Sequence, residues 1–343
     1  MSSVPDPVRV TLERRGVRHG TYTIAPRPAG LPPDACERWR DCLPIVWRGA
    51  LAARLAPFRR QVGATLRWFD ALRAGARFSS GVAKRMAGSP GFVPAGTTVD
   101  AGDPREIEKV WVHATRGART ACRDVWAKLA WIGHDESDAS LRVRFSWGSE
   151  ALREWHTKPT RFAHVDRFAE ALFPECAILA RSRELFATIA RLAGTKVLLS
   201  ERIVYNNCPG GGAVFHHDAE PTQREVCFAQ LAGRTAWLAL PRRELAAEVA
   251  ACMPGWTRRK ADRALDEPDE KRLYRLMNAT ARFTARLHER GSLFVLEPGD
   301  VVLLPTVEGF DTCWHSVFGI GAAPSLAHSY GVFAREGVAL AKR

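Results

Sequence analysis

His216 and Asp218 stand two residues apart at the end of an apolar, strand-like run, Ile203-Val-Tyr-Asn-Asn-Cys-Pro-Gly-Gly-Gly-Ala-Val-Phe-His-His-Asp218. Side chains at i and i+2 of a strand share a face, so this spacing makes an imidazole and a carboxylate converge. The same alternation sends His217 the other way. About a hundred residues later Pro298-Gly-Asp-Val-Val-Leu-Leu-Pro305 leads into Cys313-Trp-His-Ser-Val-Phe318, which offers a second imidazole, His315, on a second strand. Two neutral imidazoles and one carboxylate on one face of a metal leave the remaining positions open, the donor set suited to a mononuclear non-haem Fe(II). His216, Asp218 and His315 are therefore the expected ligands, at roughly 2.0 to 2.2 Å from the ion. The plainer use of these residues is a surface turn or a pair of hydrogen-bonded core histidines. Against it stand Gly210, Gly211 and Gly212, which permit a tight turn just upstream, and the matching histidine after a Pro-Gly-Asp hairpin.

To bring His315 beside His216, strands far apart in the chain must pair. Apolar, strand-like runs at 197–207, 225–240, 293–296, 301–304, 313–318 and 326–334 supply them. Between 240 and 292 the strand pattern breaks. Residues 243–252 and 270–290 have helical spacing, the second with Leu273, Leu276, Met277, Phe283 and Leu287 on one face and Gly291 as its stop. This is a helical insertion of about fifty residues, long enough to serve as a lid or a dimer contact, and it is expected to supply no metal ligand although it contains His288.

The order of these pieces resembles the cupin and JmjC-type branch of the Fe(II)/2-oxoglutarate oxygenase superfamily, notably its asparaginyl and related protein hydroxylases. The resemblance spans roughly residues 200–335. It rests on His216-x-Asp218, on Phe228-Ala-Gln-Leu-Ala-Gly233 followed by a strand ending at Pro241, and on the Pro-Gly-Asp turn before Trp314-His315. It implies a mainly β (α+β) fold, a double-stranded β-helix (jelly roll, cupin) with a helical N-terminal region and a helical insertion. It also implies Fe(II) and 2-oxoglutarate as cofactors, with 2-oxoglutarate decarboxylated to succinate as a peptide, a protein side chain, an amino acid or a small natural product is hydroxylated. In the hydroxylases it resembles, a lysine just after Phe-Ala-Gln holds the far carboxylate of 2-oxoglutarate; the matching position here is Thr235, preceded by Arg234. No lysine lies between Lys196 and Lys260. An arginine is the expected replacement, Arg335 first and Arg234 next, with Arg202 a further candidate and Tyr205 adding a hydroxyl. Two alternatives stay open: a cupin-type metal oxygenase that uses no 2-oxoglutarate, and a cupin-like binding module that recruits an acidic partner. The intact metal triad argues against the second.

At 343 residues the chain can bury a large core, and 25% charged with 46% hydrophobic residues is ordinary for a globular protein. No apolar run approaches the roughly 18 residues of a membrane span, and the start, Met1-Ser-Ser-Val-Pro-Asp-Pro7, lacks a secretory pattern, so a cytoplasmic protein is expected. Eight cysteines without a CxxC pair point to reduced thiols. Of the net charge of +13, residues 1–100 hold +9, from 16 Lys and Arg against 7 Asp and Glu. Such a surface suits nucleic acid or an acidic partner, but arginines amid abundant Ala, Gly and Pro equally describe a solvated surface, which is the preferred reading.

Residues 1–108 form a basic, partly helical N-terminal region, with short strands near 8–12 and 21–24 and a helix from Phe58 through Val62, Leu66, Phe69 and Leu72. The Ser-, Gly- and Pro-rich stretch 78–108 is the candidate linker. Residues 109–343 are expected to be the jelly-roll domain, its core strands at about 197–240 and 292–335, its insertion at 243–290, and helices near 164–173 and 182–193 bracing its outside. Leu141-Arg-Val-Arg-Phe-Ser-Trp147 alternates as a half-buried strand. Glu308, Asp311 and His328 lie close enough in sequence to the distal histidine to face the site, although a solvated loop and a packed histidine are the preferred readings.

Overall fold

A computed structural model describes residues 7–99, 105–133, 138–148, 159–218, 223–267, 270–307 and 311–334. Its strands are β1 (Val8–Arg14), β2 (Val17–Ile24), β3 (Ile45–Trp47), β4 (Phe92–Thr98), β5 (Glu106–Arg116), β6 (Arg119–Trp131), β7 (Leu141–Trp147) and β8 (Val197–Asn206). They continue with β9 (Gln223–Ala232), β10 (Arg234–Pro241), β11 (Leu293–Leu296), β12 (Val301–Val307), β13 (Asp311–Ile320) and β14 (Leu326–Ala334). β1 and β2 make a hairpin; the rest form one sheet in the order β11-β10-β13-β12-β9-β14-β8-β7-β6-β5-β4, with β3 added alongside β12. The result is a mostly antiparallel β protein with helices, of the α+β class expected.

Alternation along the strands divides the apolar side chains among three clusters. Trp237, Ala239, Phe294, Leu296, Cys313 and Val317 from β10, β11 and β13 meet Val226, Phe228, Val302, Leu304 and Ala327 from β9, β12 and β14. The sheet therefore folds back on itself at the β12–β13 hairpin and encloses this interior. The opposite face of the long arm carries Val112, Val125, Val143, Phe145, Val204 and Cys227 into a second cluster with Phe69, Phe78, Phe168, Leu172 and Ile189. Those come from helices Arg59–Arg73, Phe78–Met86, Pro159–Leu172 and Arg183–Ala193, the last stopped by Gly194 in the left-handed conformation.

The outer face of β10 and β13 is covered from two sides. Val10, Leu12, Tyr22 and Ile24 of the β1–β2 hairpin and Leu245, Val249, Leu273, Met277, Phe283 and Leu287 of the insertion pack on Ala236, Leu238, Leu240, Trp314 and Phe318. At about 1.5 to 3 kcal/mol for each fully buried large apolar side chain, the insertion is a structural cover for this sheet face. It consists of helices Arg242–Cys252, Arg258–Ala264, Lys271–Ala279 and Ala281–Glu289. The single helix expected over 270–290 is broken at Thr280, which is extended (φ −122, ψ 110) and donates from Oγ1 to the Arg275 carbonyl at 3.0 Å.

The stretch 78–108 departs from the expected linker. A helix and β4 occupy most of it, and the Phe78 N–H is bound by Glu108 Oε2 at 2.7 Å, a contact supplied from β5. β4 pairs with β5 as the exposed edge of the main sheet. Among the described residues no helix is long and apolar enough to cross a membrane.

Candidate metal centre

Gly210, at φ 73, sits in the tight turn closed by Gly211 N–H donating to Cys208 O at 3.0 Å, and Gly211 and Gly212 have a second use. Residues 211–216 run along the free edge of β13, with Gly319 N–H donating to Gly211 O at 2.9 Å, Val317 N–H to Ala213 O at 2.9 Å, and His216 and His315 exchanging backbone bonds at 3.0 and 2.9 Å. A Cβ on Gly212, at φ 120, would collide with the Val317 carbonyl oxygen, and one on Gly211 with Ser140 Oγ. Absence of side chains lets this irregular segment come close enough to pair, and the pairing sets His216 directly opposite His315.

One nitrogen or oxygen each from His216, Asp218 and His315 lies within 4.8 Å of the other two. His216 Nε2 is 3.4 Å from Asp218 Oδ1, His315 Nε2 is 3.5 Å from Asp218 Oδ2, and the ring centroids are 4.2 Å apart. His216 Nδ1 donates to Val214 O at 2.8 Å and His315 Nδ1 to Cys313 O at 3.5 Å. A carbonyl can only accept, so each contact keeps the proton on Nδ1 and leaves the Nε2 lone pair turned toward the carboxylate. Burial disfavours charging His216, but the Asp218 carboxylate outweighs it and raises its pKa. Burial and the neighbouring His216 bring His315 down to about 3. Against burial, the imidazoles hold Asp218 well below the usual carboxylate range. Two imidazole lone pairs and an ionised carboxylate, converging, are the chemistry a divalent first-row metal requires.

Around these groups the wall is apolar and aromatic. Trp237 stacks on His315 with centroids 5.4 Å apart, Phe228 meets Trp237 edge-on at 4.7 Å, and Tyr205 lies 5.8 Å from Phe228. Val226, Val317, Ala213, Asn207 and Ser329 complete the cavity. On the other side of His216 a wider groove opens between the site strand and the insertion, lined by Phe215, His217, Leu273, Tyr274, Met277 and Trp314 among others. His217 is exposed and sits against Trp314, with centroids 4.9 Å apart, outside the triad. His288 contacts Tyr22 and the Thr23 carbonyl, far from the site in connectivity.

Of the expected cosubstrate residues among those described, only Tyr205 lines the cavity. Arg234 shares the outward parity of Ala236 and Leu238 on β10; it faces Glu297 at 3.8 Å and lines an outer groove with Arg9 and Glu13. That position corrects its expected role, since strand alternation turns it away from the metal. Thr235 points inward but is fully engaged, donating to Gln230 Oε1 at 2.8 Å and accepting from Trp237 Nε1 at 2.9 Å. Arg202 is directed to the opposite face of the sheet, paired with Asp166 at 2.7 Å. His328 is buried on that same face, 3.2 Å from Cys176 Sγ, and Asp311 is paired with Arg243. Arg335 and Glu308 lie outside the described residues.

Sequence reasoning missed Trp237, which lines the cavity. Trp237 carried no signal beyond its strand. Arg142, on the alternating strand β7, is not among the residues lining the cavity, but the pairing of β7 with β8 that sets it beside Tyr205 is one no local pattern announces. Arg142 is directly opposite Tyr205 in that ladder, and its Nε is buried with no hydrogen-bond partner.

No protein-family model matches the chain, and no curated protein matches it. Among solved structures it is similar to an oxidoreductase of the 2OG-Fe(II) oxygenase family from Burkholderia pseudomallei, at 12% identity and a TM-score of 0.32, over 89% of this chain and 92% of that one. It is also similar to the ribosomal oxygenase YcfD from Escherichia coli, at 14% identity and a TM-score of 0.26, over 76% of this chain. The match spans 45% of the YcfD chain, less than half its length. Likeness at this level assigns no activity, which has to be argued from the site.

Proposed function

We propose that the protein is a mononuclear Fe(II)- and 2-oxoglutarate-dependent oxygenase on a double-stranded β-helix, with residues 109–343 as its oxygenase unit, hydroxylating a peptide, protein side chain, amino acid or small natural product. The observation that supports this is the triad itself, two imidazoles tied at Nδ1 with both Nε2 atoms facing one ionised carboxylate. His216, Asp218 and His315 would hold the iron. Once bound, iron and 2-oxoglutarate supply the oxidising power for attack on an unactivated carbon. The chain's own part is to fix the ligand tautomers, to exclude water with Trp237, Phe228, Val226 and Val317, and to present the substrate from the groove beside the insertion. A second reading, a metal oxygenase without 2-oxoglutarate, is favoured by one observation: among the described residues no lysine or arginine lines the inner cavity.

Anaerobic reconstitution with Fe(II), followed by 2-oxoglutarate, ascorbate and air, should release succinate; iron bound with no succinate formed would favour the second reading. Asp218→Ala should abolish stoichiometric iron binding and His217→Ala should retain it, measured by metal analysis after desalting. The reverse result would sink the triad.

A further inference from the structure

His216 lines both the inner cavity and the groove beside the insertion, so a molecule seated in the groove meets the metal centre. The groove has a volume of about 460 Å³, and Phe215, Leu273, Tyr274, Met277 and Trp314 make its surface largely apolar and aromatic. Its charged residues are Asp266, Glu267 and Glu270, and among the described residues no lysine or arginine lines it. Although Arg242 donates to Asp266 at 2.7 Å from outside the lining, three carboxylates without a facing cation make the groove unfavourable for an anion.

One polar side chain in this lining is buried and only half bonded. Asn278, on helix Lys271–Ala279 of the insertion, is 6% exposed, and its Oδ1 accepts the Phe215 N–H at 2.7 Å. A backbone N–H can only donate, so this bond fixes which end of the amide is oxygen and leaves Nδ2, with its two N–H groups, as the other end. Nδ2 is buried and has no hydrogen-bond partner. A buried donor without an acceptor is destabilising, and this one is held in place by its bond to the residue before His216. Resting on the oxygenase reading above, we propose that Asn278 is a specificity-determining residue whose Nδ2 donates to an uncharged carbonyl oxygen of the substrate, while the apolar part of that substrate lies against Phe215, Tyr274 and Trp314. The substrate class is then an amide or similar carbonyl compound with an adjacent apolar group, and not a carboxylate or a phosphate. The insertion both covers the sheet and selects what reaches the metal.

The test titrates full-length protein with four probes, phenylacetamide, N-acetylphenylalaninamide, phenylacetate and propylbenzene, with binding read by ligand-detected NMR. Wild type should bind the two amides more tightly than phenylacetate. Asn278→Leu should weaken both amides about five- to ten-fold, as loss of one hydrogen bond does, and shift propylbenzene less than about two-fold. Tyr274→Ala, a change at an exposed side chain, should weaken all the probes that bind and so place them in the groove. N-acetylphenylalaninamide binding more tightly than phenylacetamide identifies the carbonyl as that of a peptide, and the reverse order as that of a small amide. If Asn278→Leu binds the amides like the wild type, or loses propylbenzene equally, the assignment is overturned. It is also overturned, with no variant needed, if wild type binds neither amide or prefers phenylacetate. If the Asn278-dependent preference is found but Fe(II)-loaded protein given 2-oxoglutarate and air releases no succinate, the 2-oxoglutarate reading falls and the carbonyl assignment stands.

Discussion

Glu225 is fully buried on β9, on the sheet face opposite the cavity, and neither carboxylate oxygen has a hydrogen-bond partner. Burial pushes its pKa well above the ordinary value, so the native state keeps the proton. For an acid whose folded pKa is raised, stability is greatest below the unfolded pKa of about 4.3 and declines as pH rises toward the folded one. Glu225→Gln should therefore stabilise the protein by about 1 to 3 kcal/mol near pH 8 and by much less near pH 5. Melting curves at the two pH values check this, and an equal gain at both would refute it. At this scale the sequence was informative where chemistry is local. His216 and Asp218 converge as their spacing predicts, although only His216 makes a β-bridge, in a segment outside the regular strands. Arg142 and Glu225 become unusual only through neighbours brought by other strands, and Arg234, a candidate because it precedes Thr235 at the expected lysine position, is turned outward by the same alternation that faces Trp237 inward.

Among the elements, the β1–β2 hairpin has a pH-dependent attachment. His19 is fully buried, its Nδ1 bonded to Thr284 Oγ1 of the insertion at 2.9 Å and its ring edge-on to Phe318. Burial, then the nearby Arg14 cation, lowers its pKa to about 4. A base with a depressed folded pKa contributes stability that is complete above its unfolded value of about 6.5 and is lost as pH falls toward 4. Acidification from pH 7.5 to 4.5 should cost on the order of 2 to 3 kcal/mol at this one site, seen as a falling denaturant midpoint. His19→Asn should flatten that dependence; an unchanged slope would count against it. Elements with strong periodicity were legible: β7, β11 and the helix ending at Gly194 fall where the pattern puts them. The misjudged ones were decided by tertiary contacts. The helix Phe78–Met86 draws on Glu108 and on Phe78 and Val82 in the core, while Thr280 interrupts an amphipathic pattern that reads as continuous.

Across the whole molecule, the basic N-terminal third is built into the sheet that carries the site. β3 pairs with β12, the Gly49 N–H is bound by Asp300 Oδ1 at 2.8 Å, and Arg48 pairs with the same carboxylate. Arg14, on the hairpin, donates to Ser316 Oγ at 2.8 Å and to Val317 O at 2.7 Å, next to the metal-facing His315. A fragment starting at residue 109 would uncover Ile45, Trp47, Leu12 and Tyr22 contacts at once, and should fail to give a cooperative melt or a stable product in limited proteolysis. Isolation of such a folded fragment would show the N-terminal region to be detachable. The edge pairing of residues 211–216 with β13 has its own consequence. The backbone bonds that close this edge and the imidazoles that face Asp218 belong to the same residues, so occupancy of the centre and closure of the edge form one equilibrium. Deuterium should therefore enter the amides of His216, His315 and Val317 rapidly in metal-free protein and slowly once Fe(II) is bound, while those in β5 and β6 exchange at the same rate in both.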